Sequence, residues 1–190
     1  MTRLRYRMLG FTMIEVLIAL IVLTLGLLGV AGLQIYGVRN TNNSYYRSQA
    51  AIVMNDMAER IYANVPAVQQ GQYGGFDSRN VDCARPPDSL CVRETAGSGA
   101  VACTSKQMAA YDTFAATCGL PQDSGSRGGG VADLLPGGRV QTDCLDAAGA
   151  VLASCERGAR VRVLVSWSER QAKGEGGALI GQSMQMLVQP

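Results

Sequence analysis

Gly10-Phe11-Thr12-Met13-Ile14-Glu15 leads directly into VLIALIVLTLGLLGVAGL, the uncharged run from Val16 to Leu33, and these two segments together decide the architecture. As a helix rising about 1.5 Å per residue the run covers roughly 27 Å, close to the hydrocarbon thickness of a bilayer. Arg3, Arg5 and Arg7 precede it with no acid beside them, so the positive-inside rule puts the N-terminus in the cytoplasm and the rest of the chain across the membrane. An uncleaved anchor would account for this pattern. So would a secretory signal cleaved near the small residues Gly29-Val30-Ala31. Neither accounts for Glu15, because a carboxylate drawn deep into lipid costs about 2–3 kcal/mol. A glutamate merely tolerated near the headgroups is the bland alternative.

Beyond the run, residues 34–65 keep a helical period, with Ala50, Met54, Met57, Ala58, Ile61 and Val65 recurring at three- and four-residue steps. This predicts an amphipathic continuation of the same helix, stopped at Asn64-Val65-Pro66 because proline lacks an N–H and disfavours helix in the residue before it. From about Thr12 to Asn64 such a helix would run roughly 80 Å, so one half belongs in lipid or a filament and the other on a globular head. Gly26, Gly29, Gly32 and Gly37 punctuate the first half, which suits either local bending or close helix packing.

Composition narrows the chemistry. The 190 residues carry 17 Lys and Arg against 15 Asp and Glu and no histidine. Without the first ten residues the basic count falls by three to 14, so the remainder is near neutral and no nucleic-acid partner is expected. The lack of histidine removes histidine bases, triads and metal ligands. Asp and Glu are scattered singly, and the glycines from Gly125 to Gly138 lack the Gly-Lys-Ser/Thr of a phosphate loop. No enzyme, cofactor or metal site is expected. Asp56, Glu59 and Arg60 read as an exposed charged helix face. All six cysteines lie beyond residue 80 with no Cys-x-x-Cys, as in a disulfide framework of an oxidising compartment. Of the fifteen full pairings the sequence-neighbour scheme is preferred, Cys83–Cys91, Cys103–Cys118 and Cys144–Cys155, since it restrains the least regular segments.

The head, residues 66–190, reads as α+β. The stretch Gln69 to Ala102 is rich in turn formers and reads as a surface excursion. Thr104-Ser105-Lys106-Gln107 forms a capping box ahead of a helix at about 104–116. Val161, Val163, Val165 and Trp167 alternate with polar residues, predicting a strand at about 160–168. Others are expected at about 139–143 and 178–188, with a hairpin connector from Arg170 to Gly177. Trp167 and the methionines read as core.

The hexapeptide Gly10 to Glu15 resembles the processing site of type IV prepilins. That resemblance implies a leader, residues 1–10, cut between Gly10 and Phe11 by a prepilin peptidase that also N-methylates Phe11. It also implies that Glu15 pairs with the N-terminal amine of a neighbouring subunit. Residues 11–33 then serve as membrane anchor before assembly and filament core after it, and residues 34–65 carry the head. The segments Leu25 to Gln34, Tyr46 to Ala51, Asp56 to Arg60, Cys103 to Asp112, Leu135 to Gly138 and Val161 to Trp167 further resemble the minor pilin family called PilV. The implied fold is a long N-terminal helix on a small antiparallel sheet. The implied role is in pilus assembly, in an initiation or tip complex with other minor pilins and the major pilin. The chain would sit in the bacterial inner membrane, head in the periplasm, and then in the pilus. A type II secretion pseudopilin shares the leader, the glutamate and the helix, and a tip adhesin or uptake pilin is the binding-class alternative.

Overall fold

The computed structural model describes residues 10–91, 102–122, 126–153, 155, 158–170 and 179–190. The leader arginines, residues 92–101 of the excursion and residues 171–178 of the hairpin connector lie outside the described residues. The chain forms two compact units, one ending at Asn42 and the other comprising Asn43–Pro190. Helix α1, Met13–Ala63, contributes to both.

In the first unit every described residue is exposed. The apolar window of α1 has a mean hydropathy of 2.8 with none of it buried. A helix apolar on all sides needs a non-aqueous surrounding.

In the second unit the pattern changes with the sequence. Ala50, Val53, Met54, Met57, Ala58 and Ile61 are buried at helical spacing, while Ile52, Asp56 and Glu59 stay exposed. The helix stops at Ala63, and α2, Val65–Gln69, starts at once with Pro66 in its first turn. Proline's missing N–H has no intrahelical partner there, so it fits a helix start as well as a helix stop.

In chain order there follow β1 (Phe76–Asp77), α3 (Ser105–Cys118), β2 (Leu120–Pro121), β3 (Arg127–Gly128), α4 (Val131–Leu134), β4 (Arg139–Leu145), β5 (Val151–Leu152), β6 (Arg160–Arg170) and β7 (Leu179–Val188). The main sheet is antiparallel and runs β1-β4-β6-β7, with β5 also paired to β4. Val140 faces Val165, Thr142 faces Val163 and Cys144 faces Val161; Val161 in turn faces Val188. Val140, Cys144, Val161, Val163, Val165, Trp167 and Val188 share a core with Met57, Ile61 and the rest of the buried face of α1, and Thr142 is buried beside them. The two-residue period of the strands and the 3.6-residue period of the helix therefore meet at one interface.

Helix α3 begins at the capping box: the Gln107 N–H donates to Thr104 Oγ1 and the Thr104 N–H to Gln107 Oε1. It ends at Gly119, whose φ of +78° suits glycine and whose N–H donates to the Ala115 carbonyl at 2.8 Å. A Cβ at Gly119 would collide with the Gly128 carbonyl of β3.

Two expectations are corrected. The stretch after Gln69 is not only a surface excursion. Tyr73 is fully buried, Thr142 Oγ1 donates to the Tyr73 carbonyl, and β1 adds to the edge of β4 at Thr142 and Gln141. The disulfides also differ. Cys83 pairs with Cys118 and Cys91 with Cys103, their Cα atoms 5.5 and 5.6 Å apart, in place of Cys83–Cys91 and Cys103–Cys118. The reason is the helix between Cys103 and Cys118. Fourteen residues of α3 hold its ends on the order of 20 Å apart, and a disulfide needs Cα atoms within about 7 Å. Cys144 pairs with Cys155 across the β4–β5 hairpin, Cα atoms 5.2 Å apart.

Candidate functional site

Gly10 and Phe11 lie just ahead of α1, both exposed, and a Cβ at Gly10 would meet nothing within 4 Å. The peptide between them is unobstructed by the described residues. Thr12 caps the helix. The Glu15 N–H donates to Thr12 Oγ1 at 3.3 Å and to the Thr12 carbonyl at 3.1 Å, so one side chain satisfies a donor that the first turn leaves open. Glu15 thereby sits in the first turn, where the helix dipole favours a negative charge. Its carboxylate is exposed, and no ion pair to it exists among the described residues. Phe11, Glu15, Val16, Ala19, Leu20 and Leu23 together line a shallow, mostly apolar groove along the helix. The exposed negative charge thus stands beside an apolar surface.

Two polar clamps tie the head to its part of α1. In the first, Arg60 Nη1 donates to Asp112 Oδ1 at 3.1 Å, and the Tyr73 hydroxyl donates to Asp112 Oδ2 at 2.6 Å. Asn64 Nδ2 donates to the Tyr73 hydroxyl and to the Ser105 carbonyl. Burial pushes the Asp112 carboxyl up against the opposing pull of its two donors, and burial next to Asp112 likewise raises the Tyr73 phenol. This corrects the reading of Asp56, Glu59 and Arg60 as one exposed charged face. Asp56 and Glu59 are exposed, but Arg60 bridges Asp56, at 2.8 Å, to the buried Asp112. The one sequence signal was an acid, Asp112, placed between Tyr111 and Phe114 on the apolar side of α3. In the second clamp, Trp167 Nε1 donates to Glu169 Oε1 at 2.9 Å, and Arg47 of α1 lies 3.6 Å from the same oxygen. Glu169 is buried, which the alternation of β6 predicts for its face but its charge does not.

These groups are structural in form. The carboxylates are engaged by arginine, tyrosine and tryptophan donors, and among the described residues no cluster of three acidic or cysteine side chains could hold a metal ion. Gly10, Phe11 and Glu15 stand together at the start of α1, whereas the cysteines staple loops of the head.

Comparison with known families agrees with this division. Residues 5–31 match the prokaryotic N-terminal methylation motif, and residues 32–114 match the family described as type IV pilin Tt1218. The two matches adjoin without a gap. Searches of the curated proteins and of the solved structures returned no match. The chain thus has a type IV pilin-like fold, a long apolar N-terminal helix continued into a helix packed on a disulfide-stapled antiparallel sheet, and over residues 5–114 it is similar to type IV pilins that carry the N-terminal methylation motif.

Proposed function

We propose that this chain is a pilin and a minor subunit of the PilV kind, acting in the initiation or tip complex of a type IV pilus with other minor pilins and the major pilin. Prepilin peptidase cuts between Gly10 and Phe11 and methylates Phe11. The apolar part of α1 holds the subunit in the inner membrane, N-terminus cytoplasmic and head periplasmic, until assembly draws it into the pilus. The observation that carries this reading is Glu15, an exposed carboxylate with no ion pair among the described residues, in the first turn of a helix with no buried residue in its apolar half. A neighbouring subunit's amine brought to about 4 Å would be attracted by roughly 4 kcal/mol at an effective dielectric of 20, and each charge would relieve the other's burial. The narrower PilV reading is supported by where its resemblance falls. The segments Tyr46 to Ala51 and Asp56 to Arg60 supply Arg47 and Arg60, the two helix residues that clamp the head.

The test is Glu15→Ala in the full chain. Membrane insertion should be unchanged or improved, and co-purification with the other pilins should fall. Undiminished co-purification would remove the pairing role.

A further inference from the structure

The main sheet ends unevenly. On one side β4 is closed by β1 and β5, two residues each. On the other, β7 runs for ten residues and pairs only with β6 among the described residues. Long edge strands usually carry a lysine, a proline or a bulge that stops a foreign strand from adding. β7 has none of these. Leu179-Ile180-Gly181-Gln182-Ser183-Met184-Gln185-Met186-Leu187-Val188 contains no charge and no proline, and its register with β6 runs unbroken from Leu179 to Val188. Its outward-facing side chains are exposed, Leu179 by 68% and Leu187 by 50%.

The order of residues selects the occupant. About Ser183 the strand is nearly symmetric: Leu179 and Leu187 lie four residues to either side on the exposed face, and Ile180 and Met186 lie three to either side on the face that packs toward the core. We propose that β7 docks antiparallel on β7 of a second copy of this chain, centred on Ser183. In that register Leu179 stands opposite the second copy's Leu187 and Ile180 opposite its Met186, so both faces gain apolar cross-strand pairs at both ends. The contact is isologous, as a two-fold axis requires, and the free main-chain groups of both edges are satisfied together. An uncharged edge offers nothing to favour a charged strand from a different protein. This self-association goes beyond the pilin role proposed above and does not depend on it.

Single cysteines in the full chain, in its native membrane, test the register. Ser183→Cys should give a disulfide-linked dimer on a non-reducing gel, because residue 183 faces itself across the axis. Gly181→Cys and Gln185→Cys should not crosslink singly but should do so when combined, since each faces the other. A Cβ at Gly181 has open space, so that variant is tolerated. Adding Leu187→Lys to Ser183→Cys should cut the dimer several-fold while Trp167 fluorescence stays native. The proposal is overturned by equal crosslinking at 181, 183 and 185, by no crosslinking at 183, or by a Ser183→Cys product with the mass of a different partner.

Discussion

Replacing Asp112 with alanine should loosen the junction between α1 and α3, and the structure sets the size of the effect. Asp112 is 4% exposed and accepts from both Tyr73 and Arg60. Removing one member of a buried pair commonly costs about 3–5 kcal/mol, because the other is left uncompensated. Here Arg60 keeps its hydrogen bond to Asp56, and its side chain is 20% exposed. Tyr73 keeps Asn64 as a donor but loses the acceptor for its own proton. The expected cost is therefore about 2–4 kcal/mol, lowering the unfolding midpoint by roughly 5–15 °C for a unit of this size. Asp112→Asn should cost less, since it keeps one acceptor oxygen and does not bury a charge. Thermal unfolding of the full chain in detergent, followed by the fluorescence of the single tryptophan, reads this directly. Paired with Tyr73→Phe in a double-mutant cycle, the two changes should be non-additive by about 0.5–3 kcal/mol. An Asp112→Ala midpoint equal to the parent's, or strict additivity with Tyr73→Phe, would refute the clamp.

Other outcomes follow from the same geometry. Peptide mapping without reduction should recover Cys83–Cys118, Cys91–Cys103 and Cys144–Cys155; a Cys103–Cys118 peptide would mean that α3 does not span those residues. Hydrogen bonds from Arg139, then Arg79, hold the Asp77 carboxyl well below the usual carboxylate range. A depressed pKa contributes stability above the unfolded-state value that is lost as pH falls through the folded one. The stability gap between the parent and Asp77→Asn should therefore narrow as pH is lowered from about 6 to about 3, and a constant gap would contradict the assignment.

The elements most legible in the sequence were those with a strong period. Ala50, Met54, Met57, Ala58 and Ile61 announce a helix face, and Val161, Val163, Val165 and Trp167 a sheet face. Each set buries the side that its spacing selects. The N-terminal methylation motif was legible for a different reason, since it is a local sequence pattern that needs no tertiary partner. The long-range polar contacts were not legible. Asp112, Tyr73, Arg60 and Glu169 are ordinary surface residue types, and only the fold brings Tyr73 to an acid 39 positions away. Cys144–Cys155 pairs as its spacing suggested, whereas the other two expected disulfides do not form. Pairing sequence neighbours minimised loop length, yet the helix expected at about 104–116 already held Cys103 and Cys118 apart, and geometry outranks loop entropy when a rigid element lies between two cysteines. β1 was hidden because two residues carry no period at all.

The most direct test of the account is the N-terminus of the protein recovered from its native membrane. Intact mass and N-terminal sequencing should show a chain that begins at Phe11 and carries one added methyl group on the terminal amine. A chain beginning at Gly32, or one retaining Met1 to Gly10 in cells with an active prepilin peptidase, would contradict it.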